Sequence, residues 1–265
     1  MNKIKKKIIV LNRSFKKPIT CLTAYSSSYA KILDGKVDIV LIGDSLANTV
    51  YGMNNTQKIN LEIMKNHGKA VKNFIKKSLT IIDMPYRTYE NKYQAYRNGK
   101  ELLDSTNVDF LKIEVDKLKL PIVKYLSEKG INLVSHIGVT PQSYKNFKDI
   151  RIKGKNIKEF KQLIQLAKDC EKFGSKIVLL ECVTEKLSNE ITSVLKIPTI
   201  GIGASAKCDG QVLVTDDIIN LTIDNKKPKF VKNYINFKKL LSQSIKKYAY
   251  EVKTGKFPNK KNVYN

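Results

Sequence analysis

Short apolar runs recur along this chain, most of them far enough apart to fit a helix between, and that order restricts the fold more than any other feature. The runs are Ile19–Thr23, Asp38–Ile42, Leu79–Ile82, Phe110–Glu114, Ile131–Ser135, Lys176–Leu180, Pro198–Gly201 and Gln211–Val214. Between several of them apolar side chains return at helical spacing. Ile63, His67, Ala70 and Phe74 share a face of 62–77, and Phe160, Leu163, Ala167 and Cys170 share one of 158–173. Phe237, Leu241, Ile245, Tyr248 and Val252 mark a long C-terminal helix. Strand-then-helix order repeated in this way implies a parallel sheet covered by helices. Eight units point to an α/β fold of the (β/α)8 (TIM) barrel type, with a doubly wound open sheet as the alternative. No helix is visible between the last two runs, and 201–211 reads as loop. One such barrel takes about 250 residues. The expectation is therefore a single barrel domain over 1–265 with a short basic N-terminal extension.

The residues that end the runs carry the chemistry. Asp44 and Asp83 follow two runs, Glu114 ends a third, and His136 and Glu181 follow two more. In a (β/α)8 barrel these strand ends form the active-site face. The plainer alternative is that some of them cap the next helix, a position that favours Asp. Lys112 and Glu114 resist that alternative. They lie two apart on one strand and so share a face, while Leu111 and Ile113 take the opposite, helix-facing side. Both charges then point into the barrel, where an unpaired charge is costly. Asp44, Asp83 and Glu114 offer oxygen and no sulfur, a set suited to Mg2+ or Mn2+ rather than zinc. Lys112 and Glu181 remain for charge and proton chemistry. A carboxylate base beside an enolate-stabilising cation is the layout for removing a proton next to a carbonyl.

Composition narrows the remaining classes. The net charge of +25 invites a nucleic-acid or anionic-membrane reading. However, Arg13, Arg87, Arg97 and Arg151 are the only arginines, and lysine is spread along the whole chain. Arginine dominates specific phosphate and base recognition, so no nucleic-acid partner is expected. The four cysteines form no C-x-x-C pair and there are two histidines, which argues against structural zinc. No apolar run approaches the ~18 residues of a bilayer span, and the N-terminal apolar stretch Ile8–Leu11 is short for a signal peptide. A cytoplasmic protein with no membrane partner is the expectation. Three features read as structural: Gly201 to Ser205 as a tight turn, His67 as a buried helical histidine, and Tyr25 and Tyr29 as packing residues.

Ten segments then appear in order: ITCLTAY (19–25), VDIVLIGDSLA (37–47), IIDMPYRTY (81–89), LKIE (111–114), SHIGVTPQS (135–143), VLLECV (178–183), IPTIGIGAS (197–205), CDGQVLV (208–214), PKFVKNY (228–234) and EVKTGKFP (251–258). Together they closely resemble the ketopantoate hydroxymethyltransferase family, from about Pro18 onward. The resemblance implies a barrel of the phosphoenolpyruvate-mutase-like superfamily. It implies transfer of a one-carbon unit from 5,10-methylenetetrahydrofolate to 3-methyl-2-oxobutanoate, giving 2-dehydropantoate for pantothenate synthesis. By the same resemblance Asp44 and Asp83 bind Mg2+ with Glu114 nearby, partly through water. Ser45 and Lys112 hold the 2-oxo acid, His136 contacts the product end, and Glu181 is the base. The family implies a homo-oligomer, typically a decamer. This chain departs from it at Ser26, where Asp is usual, and at Ala47, Ser135 and Ser205, where Gly is usual. Val115 and Asp116 replace a glycine pair after Glu114, and 116–120 reads as shortened. No departure removes a charged site residue.

Overall fold

The computed structural model describes residues 17–146, 149–223 and 227–264. Eight strands form where the apolar runs lie: β1 Ile19–Thr23, β2 Ile39–Ile42, β3 Leu79–Asp83, β4 Phe110–Glu114, β5 Leu133–Gly138, β6 Ile177–Glu181, β7 Thr199–Ile202 and β8 Gly210–Leu213. Each pairs in parallel with the next, and β1 pairs with β8, so the sheet is a closed barrel rather than an open one. The helices are α1 Ser27–Leu33, α2 Leu46–Thr49, α3 Leu61–Lys72, α4 Lys92–Thr106, α5 Leu120–Glu128, α6 Ile157–Lys172, α7 Glu185–Val194, α8 Thr215–Ile218 and α9 Phe237–Lys253. The segment between β7 and β8 contains no helix, as expected.

Two apolar layers follow from the two-residue period of a strand. Ile19, Cys21, Ile39, Leu41, Leu79, Ile81, Phe110, Val134, Ile177, Leu179, Ile200 and Val212 pack together in the barrel interior. Their neighbours on the same strands, such as Val40, Ile82, Leu111, Ile113 and Leu180, pack outward against the helices. Burying a side chain of this size is worth about 1.5–3 kcal/mol.

The helix faces required one correction. On α3 the buried residues are Met64, Gly68 and Val71, one position on from the expected stripe. His67 is only half-buried and Phe74 is exposed. The reason is Gly68: a Cβ there would lie 2.7 Å from Thr106 Cγ2 and 2.8 Å from Ile82 Cδ1. The helix backbone itself lies against the sheet, so the contact is made by a residue with no apolar side chain to reveal it. On α6 Leu166, Ala167 and Cys170 are buried, while Phe160 and Leu163 pack at the margin.

At the end of the barrel where the strands begin, three Thr–Asp rungs join adjacent strands. Asp38 Oδ2 accepts from both the backbone N–H and the hydroxyl of Thr20. Asp109 does the same for Thr80, and Asp209 for Thr199. Each carboxylate thus takes two hydrogen bonds, and bonds to a charged acceptor contribute more than neutral ones.

The chain divides into two compact units, one ending at Val214 and the other starting at Thr215. In the second unit Asn236 caps α9 through the N–H of Lys239. Along α9, Leu240, Leu241, Ile245, Tyr248 and Val252 are exposed in the single chain.

Candidate active site

The inward rows of four strands change from apolar to ionisable at their C-terminal ends. Leu79 and Ile81 lead to Asp83, Phe110 to Lys112 and Glu114, Val134 to His136, and Ile177 and Leu179 to Glu181. Asp44 comes from the turn after β2. Asp44, Asp83, Lys112, Glu114 and His136 are all buried, with Lys112 at 5% exposure and Glu114 at 2%. None of them caps a helix. Side-chain caps come instead from Ser26, Asn60, Asn91, Asn156, Thr184 and Asn236. The capping alternative therefore fails for the whole set.

These groups touch in sequence across the barrel. Asp83 Oδ2 accepts from the Asp44 backbone N–H at 3.0 Å and lies 3.1 Å from Lys112 Nζ. Lys112 Nζ is 3.3 Å from His136 Nδ1, and His136 Nε2 is 3.3 Å from Glu181 Oε2. An ammonium only donates, so Nδ1 must accept and a neutral ring carries its proton on Nε2, which lies near Glu181 but makes no hydrogen bond. Burial, and then the Lys112 charge, hold the His136 pKa below the usual histidine value, which keeps the ring neutral. Glu181, the last member, keeps a 19% exposed side chain at the mouth.

The electrostatics describe a site with more carboxylate than one lysine can balance. Burial pushes Asp83 up to about 7, against the pull of Lys112, and Asp44 adds to the rise. Burial, and then Asp44, raise Glu114 well above the ordinary carboxylate range. Burial alone would lower Lys112, but Asp83, Asp44 and Glu114 outweigh it and leave the ammonium charged. A divalent cation would relieve this imbalance. Asp83 Oδ1 is buried without a hydrogen-bond partner, a vacant oxygen of the kind a hard cation takes. Among the described residues no three His, Cys, Asp or Glu side chains form a ready-made cage. Magnesium does not need one, because it usually takes one or two carboxylates and keeps waters. Asp44 and Asp83 fit that requirement.

Other residues complete the site. Tyr25 was expected only to pack, yet its hydroxyl is 2.7 Å from Ser45 Oγ. His67 Nδ1 is 2.6 Å from the Tyr25 carbonyl, and its Nε2 is 3.1 Å from Tyr51 Oη. Gln142 and Tyr89, outside the expected set of site residues, join the carboxylates. The Gln142 N–H donates to both oxygens of Glu114, at 3.1 and 3.2 Å, and its Nε2 donates to Asp44 Oδ2 at 2.8 Å. Their signal lay in the TPQ and RTY segments, which carry no charge cluster.

The departures from the family pattern are accommodated. Ser26 caps α1 as an aspartate would. Ser135 and Ser175 hydroxyls meet at 2.6 Å, and Ser205 Oγ donates to Asn189 Oδ1 at 2.6 Å. Asp116 caps a 3-10 turn over Lys117–Lys119 by accepting from the N–H of Lys119. That loop borders a cavity of about 430 Å3, which Thr140, Lys153 and Leu163 also line.

Comparison with known proteins gives consistent results. Residues 4–260 match the family described as ketopantoate hydroxymethyltransferase. The chain is 43% identical over 261 residues to 3-methyl-2-oxobutanoate hydroxymethyltransferase of Pelagibacter ubique, covering 98% of this chain and 99% of that protein. It is 38% identical over 247 residues to the protein of that name from Helicobacter pylori strain P12, covering 93% and 91%. Among solved structures, phosphonopyruvate hydrolase in complex with oxalate and Mg2+ aligns with a TM-score of 0.63 at 8% identity, covering 99% and 93%. A 2,3-dimethylmalate lyase, a member of the PEP mutase/isocitrate lyase superfamily, aligns at 0.60 and 13% identity, covering 80% and 78%. The structural likenesses establish the shared barrel. With the sequence match spanning nearly its whole length, the chain belongs to the ketopantoate hydroxymethyltransferase family.

Proposed function

We propose that this protein transfers a hydroxymethyl group to 3-methyl-2-oxobutanoate, with 5,10-methylenetetrahydrofolate as the one-carbon donor and Mg2+ as cofactor. The product is 2-dehydropantoate, a precursor of pantothenate. The activity named for the relatives supports this reading. The observation that carries it is the run from buried Asp83, Lys112 and His136 to Glu181 at the mouth, with one Asp83 oxygen left unpartnered.

In this reading Asp44 and Asp83 hold the cation, with Glu114 close by. When bound, the cation supplies positive charge that polarises the 2-oxo group and favours the enolate. The Ser45 hydroxyl, fixed by Tyr25, binds the acid. The Lys112 ammonium faces the oxygen on which negative charge develops, in a dry site where such a charge acts strongly. Glu181 removes the proton from C3. His136 places its Nε2–H beside that carboxylate and contacts the product end. Carbon C3 then bonds to the methylene carbon of the folate, both folate C–N bonds to that carbon break as tetrahydrofolate leaves, and one water supplies the hydroxyl of the new hydroxymethyl group. That bulky donor needs space outside the buried pit.

The exposed apolar row on α9 supports assembly into a homo-oligomer, a decamer by family resemblance. Among the described residues no helix is long and apolar enough to cross a membrane, which is compatible with a cytoplasmic enzyme. The test is turnover with 3-methyl-2-oxobutanoate, methylenetetrahydrofolate and Mg2+, with and without chelator. Formation of 2-dehydropantoate that stops on chelation is expected. No product in the complete mixture would overturn the proposal.

A further inference from the structure

Gln142 sits on the 3-10 turn Pro141–Ser143, just beyond β5, and is buried. Every polar group it has is engaged. Its N–H is shared between the two oxygens of Glu114. Its Nε2 donates to Asp44 Oδ2 and, at 3.0 Å, to the Met84 carbonyl. Its Oε1 accepts from the Tyr89 hydroxyl, and its carbonyl accepts from Gln57 Nε2 at 2.9 Å. Tyr89 Oη also accepts from the Glu114 N–H at 3.3 Å. The single Tyr89 proton is therefore committed to Gln142, which fixes the direction of the amide and points its nitrogen at Asp44.

We infer that Gln142 is a positioning residue for the cation site, with Tyr89 setting its orientation; this rests on the proposed function. Asp44 follows β2 and Glu114 ends β4, and this one residue touches both. A neutral amide holds Asp44 Oδ2 by a hydrogen bond without cancelling the carboxylate charge, and leaves Oδ1 as the oxygen for a cation. A lysine in that place would compete with the metal. A glutamate would repel the carboxylate. Groups that orient metal ligands typically change metal affinity 10–100-fold when removed.

The inference is testable by Mn2+ binding to the substrate-free full chain, followed by electron paramagnetic resonance. Gln142→Met keeps the backbone contact to Glu114 but removes the amide. It is expected to bind Mn2+ about 10–100-fold more weakly than wild type. Asp44→Asn should weaken binding too, and the double variant should be little worse than Asp44→Asn, because both changes break one connection. Tyr89→Phe, which keeps the ring, should show a smaller loss in the same direction. Wild-type affinity in Gln142→Met overturns the inference, as does a fully additive double variant, which would indicate general loosening. Should Gln142→Met fail to fold, wild-type affinity in Tyr89→Phe overturns it alone. Failure of the wild-type chain to bind Mn2+ would overturn the proposed function and this inference together. Binding by wild type with no effect of Gln142→Met removes the inference only.

Discussion

Glu181→Gln separates proton removal from one-carbon transfer. The substitution keeps the side-chain volume and replaces the base with an amide. Losing a general base usually costs on the order of 10²–10⁴-fold, or about 3–5 kcal/mol of barrier. Two features of the site select within that range. His136 cannot substitute as base at Nε2, because Lys112 occupies Nδ1 and leaves the ring proton on the side facing Glu181. Glu181 itself is 19% exposed, so water can reach the position and act as a poor base. The expected loss is therefore in the lower half, about 10²–10³-fold, or roughly 3–4 kcal/mol. The assay is deuterium exchange at C3 of 3-methyl-2-oxobutanoate, read by NMR with Mg2+ and no folate. Wild type should exchange. The Gln variant should bind the acid and Mg2+ yet exchange slowly. Exchange at the wild-type rate would move the role to Glu114, whose Oε1 lies 3.8 Å from His136 Nδ1.

Asp83→Ala should abolish Mg2+-dependent binding of the 2-oxo acid in calorimetry while circular dichroism shows a folded chain; unchanged affinity would refute the ligand assignment. The metal-free protein should respond to pH through Asp83, which titrates near 7 when folded against about 3.9 unfolded. The folded state holds a proton that the unfolded state gives up, so this stabilising contribution is complete below about pH 4 and is lost as pH rises through about 7. Urea unfolding with chelator should thus show Asp83→Asn gaining on wild type between pH 5 and pH 8, and a constant difference would refute the shift. In a gel shift at about 0.15 M salt, where charges are screened beyond roughly 8 Å, duplex DNA should be retained only weakly; tight, sequence-selective retention would overturn the reading of the lysines as dispersed surface charge.

Much of the fold and the charged part of the site are legible in the sequence for one reason. Strand parity ties an apolar interior to whatever ends each row, so Phe110-x-Lys112-x-Glu114 places both charges inside without reference to any other strand. Contacts between distant segments leave no such trace. The hydrogen bond between Tyr25 and Ser45 joins the ends of β1 and β2, and the bonds of Gln142 to Asp44 and Glu114 reach across several strands. Neutral amides and phenols also give no compositional signal. The buried face of α3 differs from its apolar stripe because its closest contact is Gly68, which such a stripe does not register.

The three Thr–Asp rungs bear on how the barrel assembles. They join β1 to β2, β3 to β4 and β7 to β8, with partners only 18, 29 and 10 residues apart. The ring is sealed by β1 and β8, where Ile19 meets Gly210. Loop-closure entropy grows by about 0.6 kcal/mol per doubling of length. Relative to the longest rung, the seal closes a loop two to three doublings longer, about 1.5 kcal/mol more costly. Strand pairs pinned locally by a carboxylate can thus form before the ends of the barrel meet. Closing the ring between β1 and β8 is the entropically late event.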